Sequence, residues 1–285
     1  MTDLTTPAPA PVTATAAVDP SWQRTVRLGV LLGRLQLKEF FRSRAALIFG
    51  LLFPVMLLVL LASVFNETIK GTGGVTIAQY MTAGVLAISI ATAGFSNLAN
   101  TVAVQRDTGR IKRWAATPMP VGSYLIGLFV RTLVVAVAGT VILLAIGIGF
   151  YGLHLPDSLV DWGMFVAVFV LGVSSTSLLG IAFSRLCKNG ENAPAVVTPP
   201  FLALQFISGT FLTFTDLATP LKVVASIFPL RWMALGMRSA FLPDGFASQE
   251  TGGSWQRPMV LAVLLAWTIG GFFLARATFS WRERS

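Results

Sequence analysis

The chain has 285 residues, of which 54% are apolar and only 12% are Asp, Glu, Lys or Arg. Soluble domains carry roughly 25% charged residues, so with a mean hydropathy of +0.74 this composition describes an integral membrane protein and excludes disorder, a coiled coil or a nucleic-acid-binding domain. The formal charge of +9 is then a topology signal, because Lys and Arg accumulate in cytoplasmic loops.

Residues 1–21 are rich in Thr, Ala and Pro and lack a basic start with an apolar core, so they read as a disordered cytoplasmic tail and not as a signal peptide. Residues 22–45 form the next unit. Over Trp22 to Arg44, Arg24, Arg27, Arg34, Lys38 and Arg42 share an arc of about 80° on one helix. Leu28, Leu32, Leu35, Leu37, Phe40 and Phe41 accompany them, with Leu31 inside the basic arc and Gln36 opposite it. This pattern predicts an interfacial amphipathic helix with its cations among lipid phosphates; a plain juxtamembrane basic anchor is the alternative.

Residues 46–285 read as a six-helix transmembrane domain, with spans near Ala46–Phe65, Tyr80–Val102, Ser123–Phe150, Trp162–Ser184, Val197–Thr215 and Met259–Ala275. An even number of spans puts both termini on one side. Fifteen cations, including Arg106, Arg110, Lys112, Arg113, Arg185, Lys188, Arg276, Arg282 and Arg284, fall on that side. Five (Lys70, Lys222, Arg231, Arg238 and Arg257) fall on the other, so both termini are expected in the cytoplasm. The long external segment Asp216–Pro258 carries apolar pieces at Val223–Leu230 and Trp232–Leu242, broken by Pro220, Pro229 and Pro243. They are too short to cross, which predicts re-entrant or interfacial helices over the outer end of an all-α bundle, acting as a lid or as a structured loop.

The chemistry available is narrow. None of the 12 acidic residues falls inside these spans, so no intramembrane proton carrier is present in them. Cys187 is the one cysteine and His154 the one histidine, which leaves no disulfide, no metal site and no nucleophile–base pair. Gly172, Thr176 and Gly180 form a small-residue face suited to helix packing. Arg131, about two turns into span three, either snorkels or makes a structural contact, or meets an anionic substrate group. Asn97 and Asn100 share a face with Thr101 in span two, and Thr198, Gln205 and Ser208 share one in span five; both faces are expected to point inward, for interhelical bonding or for substrate contact. The chain lacks a GxxxxGK[ST] loop, so any nucleotide hydrolysis belongs to another subunit.

The loop after span two runs from Gln105 to Pro118, through Arg106-Asp107-Thr108-Gly109-Arg110-Ile111-Lys112-Arg113-Trp114 and an Ala-Thr-Pro ending. By itself it is a short basic helix with a stop. At this place it resembles the loop of ABC-2 type transporter permeases, and Phe206–Phe211 and Phe228–Trp232, followed by Arg238, resemble further features of that family. The sequence is similar to actinobacterial drug-resistance permeases of the daunorubicin-exporter type, from which it departs at Gln105 and Trp114. The resemblance covers Trp22 to the C-terminus. It implies a non-enzymatic subunit of the bacterial plasma membrane, paired with a second copy or a homologous permease. Cytoplasmic ATPase partners would hold ATP and Mg, and this chain would bind no cofactor. It also implies a coupling helix over Arg106, Asp107, Gly109, Arg110, Lys112, Arg113 and Trp114, and export of a lipophilic compound, a lipid or a glycan. Read from the residues alone, an ion-coupled carrier and a membrane scaffold remain rival functions.

Overall fold

The computed structural model describes residues 22–65, 67–69, 72, 74–211 and 214–278. The tail expected over residues 1–21, and the cations Lys70, Arg282 and Arg284, lie outside them. Among the described residues the regular elements are helical, apart from one isolated bridge between Thr68 and Thr76.

Helix α1 spans Trp22–Arg42. Ser43 then stops it and caps the next helix, its Oγ accepting the Ala46 N–H at 3.3 Å. Five helices are long and apolar enough to cross a membrane: α2 (Arg44–Val64), α3 (Ile77–Asp107), α5 (Val121–Tyr151), α6 (Leu159–Leu186) and α10 (Arg257–Thr278). The expected fifth span differs. Helix α7 covers only Ala193–Ile207, about 22 Å long against a hydrocarbon core of ~30 Å. It starts early because Pro194 fits a first turn whose N–H groups lack partners. It ends early because Gly209, at φ +80°, turns the chain.

Helix α3 is the hub. Of its most apolar stretch 83% is buried, against at most 50% in the other spans. Thr76 and Gln79 close a reciprocal cap at its start, which is why it begins before Tyr80. A π-turn at Thr92–Ser96 interrupts it. There Gly94 faces Thr176, and Gly180 lies so near the Gly94 and Phe95 carbonyls that a Cβ would stand 2.6 Å from the first. The Gly172–Thr176–Gly180 face therefore packs as its spacing predicts.

Helix α1 docks on α5 through Gly29, Leu32, Gly33, Gln36 and Phe40. Gly33 faces the Gly127 carbonyl, an approach that small residues alone allow. Arg27, Arg34, Lys38 and Arg42 remain exposed on its other side.

Beyond α7, helix α8 (Thr219–Ile227) is largely exposed, whereas α9 (Pro229–Phe241) is buried at every residue. Helix α9 packs on α3, α6 and α10, so this apolar piece enters the bundle and is not merely laid over it. The span α6 also starts earlier than its apolar run, because Ser158 caps it. Asp161 thus falls inside its first turn and pairs with Arg257 at 2.6 Å, a correction to the acid-free spans expected above.

Candidate functional site

At its C-terminal end, α3 continues through Gln105, Arg106 and Asp107, and Gly109 at φ +68° swings the chain into α4 (Arg110–Ala115). Arg106 Nη2 donates to the Ser184 carbonyl at 3.0 Å and to Ser184 Oγ at 2.9 Å, in the last turn of α6. Asp107 accepts the Gly190 N–H at 3.0 Å. Arg110 grips Glu39 of α1 with both guanidinium nitrogens, Nη1 at 3.0 Å, and this hydrogen bond raises Arg110 above the ordinary guanidinium pKa. Trp114 lies against Tyr124 of α5 with ring centroids 5.5 Å apart, and the Tyr124 hydroxyl donates to buried Gln105 Oε1 at 2.9 Å.

The seven residues expected to form one docking surface therefore divide. Arg106, Asp107, Arg110 and Trp114 tie the corner to α1, α5, α6 and the turn before α7, while Lys112 and Arg113 stand on the exposed side. Gln105 and Trp114 are both used internally.

The polar residues within the helices do not converge on one cavity. Arg131 is only 7% exposed and lies 5.3 Å from the ring of Phe40, so α1 covers it where snorkelling to the headgroups was one expectation. Asn97 and Asn100 are half-buried, and their Nδ2 and Oδ1 atoms respectively are buried without hydrogen bonds. Gln205 and Ser208 are buried, with Ser208 Oγ donating to the Gln205 carbonyl at 2.7 Å. Thr198, expected on their face, is exposed. Among the described residues there is no group of His, Cys, Asp or Glu that could hold a metal ion. Cys187 is buried, and burial pushes its thiol pKa up.

The ABC-2 type transporter family model matches residues 28–242, from inside α1 to the end of α9. The chain belongs to the ABC-2 type transporter family. A comparison with individually curated proteins finds no match. This ABC-2 chain is accordingly an all-α, multi-pass membrane component of a transporter, and its family's work is transport, not catalysis.

At the opposite end of the ABC-2 bundle from α4 lies a second constellation, which sequence reading reached only in part. Arg231 and Arg238, seven residues apart, share one face of α9 and converge on Glu250, which follows the 3₁₀ turn Asp244–Gln249. Arg238 Nε meets Glu250 Oε1 at 2.5 Å and Arg231 Nη2 meets Oε2 at 3.3 Å. Arg238 Nη1 and the Tyr80 hydroxyl both donate to the Gly209 carbonyl, at 3.2 and 2.6 Å. The Phe214 ring stands 3.8 Å from the Arg231 guanidinium and the Tyr80 ring 4.8 Å from that of Arg238. Burial pushes the Glu250 carboxyl up, but the two guanidiniums outweigh it and hold the group below the usual carboxylate range. Burial, reinforced by Arg238, brings Arg231 down to about 10. The cluster fastens α9 to α3 and to the end of α7. Glu250 gives no signal in sequence, since a single acid in a polar external loop ordinarily faces water.

Proposed function

We propose that this ABC-2 chain is the permease half of an exporter that moves a lipophilic or amphipathic compound, such as a drug, natural product or lipid, out across a bacterial plasma membrane. A separate cytoplasmic ATPase drives it, and a second copy or a homologous permease completes the pathway. Both termini are cytoplasmic on this reading, as the cation asymmetry favours. ATP and Mg bind the partner alone.

The observation that carries the proposal is the construction of the α4 corner: a short basic helix on a glycine hinge, tied to α1, α5 and α6 while Lys112 and Arg113 face outward. A groove on an ATPase that shifts α4 displaces α3 and α5 with it, because rigid helices joined by packed contacts move together.

The test is affinity purification from the native host in mild detergent, with identification of the partners and a vanadate-sensitive ATPase assay. A stoichiometric Walker-A subunit is expected, with substrate-stimulated activity lost in the Lys112→Glu/Arg113→Glu variant while membrane insertion is kept. A chain that purifies alone and transports in proteoliposomes under an ion gradient overturns the proposal in favour of a secondary carrier. Unchanged substrate accumulation on gene deletion points to a scaffold.

A further inference from the structure

Helix α10 packs along α6 and α9, while α5 packs along α1 and α3. Between α5 and α10 this leaves an open groove of about 670 Å³, floored by α6. Its walls are apolar, with Leu125 and Phe129 from α5, Leu178 and Ile181 from α6, and Phe272 from α10. The hydroxyl of Ser174 is turned back to the Val170 carbonyl at 2.7 Å, and Ser177 Oγ is buried without a hydrogen bond among the described residues. Arg276 is the single charged residue in the described lining.

The polarity is ordered along the groove. Arg276 belongs to the last turn of α10 and is exposed, whereas Thr268 lines the far end. The separation between them on a helix is about 12 Å, close to half of a ~30 Å hydrocarbon core. The groove thus runs through one leaflet with its cation at headgroup level and its apolar walls toward the midplane. The apolar walls match acyl chains, and an anionic headgroup complements Arg276.

We infer that the groove between α5 and α10 binds an anionic phospholipid from the leaflet at the C-terminal end of α10. The acyl chains lie along Leu125, Phe129 and Phe272, and the phosphate lies at Arg276. The site depends neither on which substrate moves nor on which membrane face is cytoplasmic.

Native mass spectrometry of the full chain in detergent tests it, with dioleoyl phosphatidylglycerol and dioleoyl phosphatidylcholine as probes. The wild type is expected to retain one phosphatidylglycerol per chain in preference to phosphatidylcholine. Arg276→Gln, at an exposed position that folding does not need, lowers that preference about fivefold. Ser174→Phe, which fills the floor, removes the retained lipid of either class; if this variant aggregates, the preference in Arg276→Gln decides alone. An unchanged preference in Arg276→Gln overturns the inference. So does a change in oligomeric mass without a change in lipid retention, which assigns the groove to contact between copies.

Discussion

At the α4 corner, the side chains of Arg110 and Glu39 keep 34% and 50% of their exposure, whereas in the α9 cluster those of Arg231, Arg238 and Glu250 keep no more than 4%. Both regions hold a short helix through a guanidinium–carboxylate contact, α4 to α1 and α9 to the segment before α10. The difference is what breaking the contact leaves behind. A separated Arg110 and Glu39 are re-solvated at once, and such exposed pairs contribute about 0–1 kcal/mol. Removing a partner from a buried ion cluster strands charge away from water and costs about 3–5 kcal/mol. The Arg110–Glu39 contact can therefore open and close at little cost. The buried trio is stable only as a unit, so any opening at that end must carry α9, Glu250 and the Gly209 carbonyl together.

The largest expected effect follows from that trio. Glu250→Gln removes the one carboxylate facing two buried guanidiniums, and the loss of about 3–5 kcal/mol lowers the melting temperature by roughly 10 °C for a chain of this size. The pH dependence has a definite sign. Glu250 is held below its ordinary value near 4.5 in the folded chain, so its contribution is complete above that pH and is lost as pH falls through the depressed value. The melting gap between wild type and variant should thus be widest at neutral pH and narrow in acid. A variant that melts with the wild type at pH 7 would show that the cluster braces nothing.

Next is Gly180→Ala, whose Cβ would stand 2.6 and 2.8 Å from the carbonyl oxygens of Gly94 and Phe95. Backbone cannot swing aside as a side chain can, so overpacking here costs about 1–3 kcal/mol, read in the same melting assay. Tyr80→Phe is milder. It deletes the hydrogen bond to the Gly209 carbonyl but leaves that oxygen bonded to Arg238, so about 1 kcal/mol is expected. If Tyr80→Phe proves as damaging as Glu250→Gln, the bond to α3 dominates over charge compensation.

The same contrast separates what sequence shows from what it hides. Apolar runs of about 20 residues mark α2, α3, α5, α6 and α10 because lipid demands that length, and the basic loop marks α4 because its charges face outward. Helix α7 is legible as an apolar run but not in its length, which Pro194 and the Gly209 turn decide. The π-turn at Thr92–Ser96 leaves no trace in composition, since it answers to packing against α6. Arg131 looked like a residue that could snorkel because nothing in a linear pattern says that Gly29 and Gly33 bring α1 down over it. Glu250 was invisible for the same reason: its partners are set by the placement of α9, a tertiary fact.

The smallest stability effect is the most informative about coupling. Arg110→Glu should leave the melting temperature within about 2 °C of wild type, because an exposed pair is worth little, yet it places two carboxylates together and pushes α4 off α1. If the Arg110–Glu39 contact transmits motion within this chain, Arg110→Glu lowers ATP-driven transport and the exchange Arg110→Glu/Glu39→Arg restores it. Lys112→Glu/Arg113→Glu, which leaves the Arg110–Glu39 pair in place, is not rescued by Glu39→Arg. The interaction term of the double-mutant cycle separates the cases. A positive term places the coupling between α4 and α1. A term near zero, with transport lost in both Arg110 variants, means that Arg110 contacts the ATPase in the working complex and leaves Glu39 to do so, in which case the exposed pair is the resting position of a side chain that changes partners.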